Sequence, residues 1–164
     1  MASTRNADPI TAQLDTTQRD ATCRGLQQSL VDLVHLHLAA KQVHWNVVGP
    51  AFRTVHLQLD ELVATARGLA DQIAERSAAL GVPADGRTST IGDTSIVPEP
   101  EPGWCQDTDV ISYIVSALDQ VIRRLRAAVD ETDKTDQVTQ DLLIEATGAL
   151  EKAHWMWQAQ LTGR

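Results

Sequence analysis

Between two long segments of helical periodicity lies Pro83 to Gln106, rich in Pro, Gly, Ser, Thr and Asp and punctuated by Ile91, Ile96, Val97 and Trp104. A connection this long inside a compact domain is unusual unless it has a task. Its task follows from its flanks. If the helices on either side are parallel neighbours in a bundle, the link must climb back about 45 Å, the length of a thirty-residue helix. About 24 residues can span that distance, with a short helical turn expected around Thr90 to Ile96. The chain therefore reads as all-α, a four-helix bundle with one long crossover that carries a short helix.

The periodic segments agree. Residues 1–17 are polar and aperiodic and read as a flexible tail, leaving 18–164 as one bundle domain. A first helix is expected from Gln18 to Val47, with Leu26, Leu30, Leu33, His37, Ala40 and His44 on one face and Val31, Val34 and Leu38 on a second. A helix apolar on two faces is buried on two sides, one of them against a neighbouring subunit. Gly49 and Pro50 end it. The second helix, Phe52 to Leu80, turns Val55, Leu59, Leu62, Ala66, Leu69, Ile73 and Leu80 inward. The third runs from Asp107 or Thr108 to Glu131 on Val110, Ile114, Ala117, Leu118, Val121, Leu125 and Val129. Arg123 and Arg126 there have Asp119 and Asp130 four residues away and read as a solvated, paired face. The fourth, Asp136 to Leu161, presents Leu142, Leu143, Ala146, Leu150, Ala153 and Trp157. With 4 % aromatic residues and few β-branched runs, the composition favours helix over sheet.

The chemistry concentrates between Lys41 and Glu75. His56 and Asp60 are four residues apart, as are Asp71 and Glu75, so each pair shares a helix face. Fifteen residues separate the pairs, which returns them to within about 60° of the same azimuth. His44 stands twelve residues before His56, and a hairpin at Gly49-Pro50 brings the two alongside. Imidazole with several carboxylates and no nearby Cys suits Fe(II), Mn(II) or Zn(II) rather than a thiolate-type site. Five polar groups at matching spacing are hard to bury by coincidence. His35 and His37, by contrast, read as core histidines satisfied by hydrogen bonds. Glu151-x-x-His154 has the spacing of an intra-bundle di-iron motif, but the first helix holds no Glu and the second no partner motif, so His154 reads as a surface or interface residue.

Cys23 and Cys105 form neither a disulfide framework nor a zinc motif, which fits a reducing cytoplasm. No apolar run approaches a membrane span, and the N-terminus lacks a signal-peptide core. The net charge of -8 argues against a uniformly basic nucleic-acid surface and predicts, for any assembly, a negative potential that attracts cations.

The run Lys-Gln-Val-His-Trp-Asn-Val-Val-Gly-Pro-Ala-Phe-Arg-Thr-Val-His-Leu-Gln-Leu-Asp at 41–60, then Asp71-Gln-Ile-Ala-Glu-Arg and Leu80-Gly81, resembles the signature of the Dps family, the DNA-binding proteins from starved cells. The likeness extends to Gln140-Asp141-Leu142-Leu143 and Leu150-Glu151-Lys152 with Trp155. It implies a ferritin-like bundle assembled into a hollow dodecamer. Such a shell oxidises Fe(II) to Fe(III), preferentially with hydrogen peroxide, and stores the ferric product without haem. The expected location is cytoplasmic or nucleoid-associated. By motif match His44, His56 and Asp60 are ligands from one subunit and Asp71 and Glu75 from its two-fold partner, with Trp45 close to the iron site.

Spacing supports that partition, because the centres of the two pairs lie about 22 Å apart on one helix and no single metal bridges them. Two copies of the second helix crossing antiparallel near Thr65 and Ala66 make two equivalent sites, and Ala64, Ala66, Gly68 and Ala70 permit close approach. Arg67, near that axis, either reaches solvent or pairs with a carboxylate. Asp136 and Asp141, with Asp133 and Glu145 behind them, read equally as an iron-access pore or as ordinary acids favoured by a helix dipole. The competing function, condensing DNA as a nucleoid structural protein, needs cationic tails. This chain offers Arg5 against Asp8 and Asp15 and three lysines in all, so DNA binding is expected to be weak or absent.

Overall fold

The computed structural model describes residues 10–161, so the greater part of the tail expected over 1–17 lies outside the described residues. Its inner end is ordered. Asp15 caps the first helix by accepting the Gln18 N–H at 2.9 Å, and Ala12 and Leu14 pack against the core. Helix α1 therefore starts at Thr16, two residues earlier than its apolar period suggests, and runs to Asn46. Helix α2 follows over Phe52–Ala79, a short α3 over Thr88–Thr94, α4 over Asp107–Thr132 and α5 over Gln137–Gln158. Two-residue strands, β1 (Val47–Val48) and β2 (Cys105–Gln106), pair in parallel with Val47 opposite Cys105 and Val48 opposite Gln106. Among the described residues, no helix is long and apolar enough to cross a membrane.

The expected inward faces form the core. Leu59 and Val55 on α2, Ile114 and Leu118 on α4, and Leu143 and Leu150 on α5 are fully buried, and Trp157 is 1 % exposed. Its indole is a large apolar contribution to burial. The second face of α1 is mixed: Val31 is buried, whereas Leu38 is exposed on one chain.

The crossover does the work its length implies, but not between neighbours. The β1–β2 pair sets the start of α4 beside the start of α2, so these two helices run parallel. Yet α4 packs against α1 and α5, and α2 against α1 and, less extensively, α5, leaving α2 and α4 on the bundle's diagonal. Adjacent positions in the bundle go to antiparallel pairs. The short helix starts at Thr88 rather than Thr90, because Asp85 turns the chain just before it, accepting from the Arg87 N–H and the Thr90 hydroxyl. Buried Asp32 of α1 clamps the crossover, accepting from the Ser95 hydroxyl and the Ile96 N–H at 3.0 Å and pairing with Arg124 of α4. Burial raises the Asp32 carboxyl pKa, with these partners opposing the rise.

Candidate metal centre

His44 lies in the last turn of α1 and His56 in the first turns of α2. The turn between them is made possible by Gly49 at φ +129°, in the region that favours glycine. The imidazoles stack with ring centroids 3.7 Å apart and planes 22° from parallel. The Nδ1 of each ring lies 3.0 Å from the backbone oxygen of the other residue. A carbonyl can only accept, so each Nδ1 carries the hydrogen and each Nε2 keeps its lone pair for a metal. This reciprocal pair fixes both tautomers without any further side chain.

Asp60, one turn beyond His56, brings a carboxylate so that donor atoms from His44, His56 and Asp60 all lie within 4.8 Å of one another. Among the described residues this is the only such His, Cys, Asp or Glu group able to hold a metal ion. His44 is buried and the Asp60 side chain is 46 % exposed, so the group opens toward solvent on one side. Lys41, one turn before His44, donates to Asp60 Oδ1 at 2.5 Å. The Lys41 hydrogen bond, with the charge of its ammonium, holds the Asp60 carboxyl below its ordinary pKa. Lys41 belongs to the motif read above but received no role there, although its i, i+3 relation to His44 places it on the same face.

Asp71 and Glu75 do not join this group within one chain. Both are exposed on α2, fifteen residues past His56 and Asp60, and Asp71 lines a groove with Leu30, Val34, His37 and Arg67. Trp45 is 63 % exposed beside a neighbouring groove of about 660 Å³ that His35, His37, Arg67 and Glu99 also line. The two histidines read as satisfied core residues differ from that expectation. His35 is buried with Nε2 3.1 Å from Glu99, but its Nδ1 has no hydrogen-bond partner among the described residues. His37 is half-buried, and burial, with the charge of Arg67, lowers its pKa.

The four acids considered for iron access are unlike one another. Asp136 is buried as the N-cap of α5, accepting from the Thr139 N–H and hydroxyl and from Arg76 of α2 at 2.5 Å. Burial works against ionisation there, but the Thr139 and Arg76 hydrogen bonds outweigh it and hold the carboxyl below its usual range. Asp141, Asp133 and Glu145 are exposed. Glu151 turns to Arg126, 2.5 Å away, rather than toward His154. The Glu-x-x-His spacing therefore makes no ligand pair, and Arg126 does not take the Asp130 partner its i+4 spacing suggested. His154 itself is only half-exposed, with a buried Nε2 that finds no hydrogen-bond partner among the described residues.

Residues 23–163 match the ferritin-like domain family. The chain is 34% identical over 157 residues to the fine tangled pili major subunit of Haemophilus ducreyi, covering 96% of this chain and 83% of that one. It is 39% identical over 140 residues to the DNA protection during starvation protein of Mycolicibacterium smegmatis, covering 83% of this chain and 74% of that one. Among solved structures it superposes on Dps92 from Deinococcus radiodurans with a TM-score of 0.88 at 33% identity, covering 91% and 90% of the two chains. Dps from Microbacterium arborescens in its high iron form gives 0.87 at 37% identity, covering 93% and 98%. By extent of match and identity, this chain belongs to the Dps family of ferritin-like proteins.

Proposed function

We propose that the protein is a ferroxidase and iron store that removes Fe(II) and hydrogen peroxide together and thereby protects DNA. The observation that carries this reading is the stacked His44–His56 pair, whose carbonyl-bound Nδ1 atoms leave both Nε2 lone pairs free, in the same three-residue cluster as Asp60. Neutral imidazoles and carboxylates suit Fe(II), and carboxylate charge favours the ferric product. Asp60 takes up a metal only as Lys41 releases it, so the lysine acts as a stand-in cation for the carboxylate.

The remaining ligands, Asp71 and Glu75, come from a two-fold partner whose α2 crosses antiparallel near Thr65 and Ala66 of this chain. Each hydrogen peroxide takes one electron from each of two ferrous ions. Its O–O bond breaks, and with two protons from solvent it leaves as two waters, so no hydroxyl radical is released. Ferric ions then hydrolyse in the interior of a dodecameric shell. Access for Fe(II) falls to Asp141, with Asp133 and Glu145 near it, because the Asp136 carboxylate is committed to Arg76 and Thr139. No observation favours DNA condensation. A plasmid mobility shift at physiological salt, without added divalent metal, would revive it.

The test is subunit sharing. His56→Ala and Asp71→Ala should each be inactive in peroxide-driven Fe(II) oxidation. Unfolded together and co-assembled in equal amounts, they should recover about a quarter of the wild-type sites. About half of the dimers are then mixed, and both lesions fall in one of each mixed dimer's two sites. A mixture as inactive as its components would sink the shared site.

A further inference from the structure

The two imidazoles come from different helices, and their register depends on how the chain passes from α1 to α2 through residues 47–51. That turn has no side-chain cap of its own, since Ala51 at the start of α2 supplies none. The missing acceptor comes from 56 residues along the chain. Asp107, the first residue of α4, is 3 % exposed, and its Oδ2 accepts the Ala51 N–H at 2.5 Å. The β1–β2 pair delivers it: Val48 is opposite Gln106, so the next residues in each strand direction, Gly49 and Asp107, arrive side by side. A Cβ at Gly49 would lie 2.7 Å from Asp107 Cγ and Oδ2, so the glycine backbone and the carboxylate are in direct apposition.

A carboxylate accepting a backbone N–H makes a stronger hydrogen bond than a neutral acceptor. The amino end of α4, where Asp107 sits, favours its charge further. The reciprocal His44–His56 hydrogen bonds span the same turn, so a slip of that turn breaks both at once and swings the two Nε2 atoms apart. Asp107 is not itself among the residues whose donor atoms converge. We infer that Asp107 is a positioning residue for the metal centre: by accepting the Ala51 N–H and packing on Gly49, it sets the register of the His44–His56 stack. This inference rests on the metal-binding reading given above and extends it to a residue on a third helix.

The experiment titrates Co(II) alone into the assembled protein and follows its visible absorption in wild type, His56→Ala, Asp107→Asn and Asp107→Ala. Wild type should bind and His56→Ala should not. If both fail to bind, or both bind alike, the metal-binding reading itself is wrong. Given that control, Asp107→Ala should lose about 10- to 100-fold in Co(II) affinity, the scale set by residues that orient ligands, and its Co(II) spectrum at saturation should differ from wild type. Asp107→Asn keeps an acceptor of the same length and should stay within about threefold of wild type. A purely structural role would lower the thermal midpoint of Asp107→Ala and leave the affinity and spectrum of the folded protein unchanged, which overturns the inference. Equal losses in Asp107→Asn and Asp107→Ala overturn it too. Should Asp107→Ala fail to assemble, Asp107→Ser carries the same test, since its shorter side chain no longer reaches the Ala51 N–H as the carboxylate does. Unchanged Co(II) affinity in Asp107→Ser counts against the assignment.

Discussion

At the N-terminal end of α2, His56 stacks on His44 and Asp60 is tied to Lys41. About 22 Å along the same helix, the side chains of Asp71 and Glu75 stand exposed, with no hydrogen bond or ion pair among the described residues. The first end is built within one chain: two tautomers are set by backbone carbonyls, and the turn is held from α4. The second end offers carboxylates at the same i, i+4 spacing with nothing to hold them. A helix that carries a prepared half-site at one end and loose ligands at the other is suited to an antiparallel partner, which brings each loose half to a prepared one. The histidines need exact tautomers and so are fixed early. Carboxylates, with four lone-pair directions each, tolerate being positioned later.

The largest expected effect breaks that comparison directly. His56→Ala and Asp71→Ala should each lower peroxide-driven Fe(II) oxidation by at least about 100-fold, although one removes a prepared ligand and the other a loose one. The routes should differ. His56→Ala should also abolish Co(II) binding by a dissociated chain, whereas Asp71→Ala should leave that weak binding intact. Equal Co(II) binding by both dissociated variants would erase the distinction between the halves.

Much of this was legible in residue order alone. The apolar periods place α2 and α4 to within a residue at either end, and α5 to within three at its C-terminus, where the last turn unravels before Leu161. The length of the crossover implies parallel α2 and α4. It does not say that they sit on the diagonal, because spanning distance is nearly the same along an edge or across the middle. His44, His56 and Asp60 were legible because two helical periods and one turn bring them together. Asp107 was not, since its contact with Ala51 depends on a two-residue strand pair too short to leave a pattern. Nor was the Arg126–Glu151 pair, which forms between helices while the i+4 alternative, Asp130, stood equally available. Local spacing reports which side chains share a face, and nothing in it ranks a partner on the next helix against one on the same helix.

The next effect separates two acids at the other end of the bundle. Asp136→Ala should destabilise the protein by about 1–2 kcal/mol, because it removes an N-cap and leaves Arg76 without its carboxylate, and should leave Fe(II) uptake at its wild-type rate. Asp141→Asn should do the reverse, slowing uptake with little change in thermal midpoint. Scanning calorimetry with stopped-flow Fe(II) uptake on both variants checks this, and slowed uptake in a folded Asp136→Ala protein would return that residue to the pore. Smaller again is the effect of Lys41→Met. Removing the stand-in cation should tighten Co(II) binding about two- to fivefold, the scale of a half-exposed ion pair. Weaker binding in a folded Lys41→Met protein would mean that the lysine orients Asp60 for the metal rather than competing with it.

The smallest effect tests the same ion pair without metal. Asp60 is held by Lys41 below the ordinary carboxylate value of 3.8, so its folded pKa lies under its unfolded one. A depressed carboxyl contributes stability that is present above the unfolded pKa and is lost as the pH falls through the folded pKa. The contribution of Lys41–Asp60 should therefore be fully present at neutral pH and should fade as the pH falls below about 4. Other acids also lose their partners in that range, Asp136 among them, so wild type alone cannot isolate the pair. The difference between wild type and Lys41→Met can. Measured as denaturant midpoints in chelator-treated protein, that difference should favour wild type at pH 7, shrink as the pH falls below the ordinary carboxylate range, and diminish with added salt, because the Asp60 side chain is 46 % exposed. A difference that stays constant down to the acid limit would show that Lys41 stabilises by packing its stem against α2, and the prepared half of the site would then rest on the two histidines and their carbonyls alone.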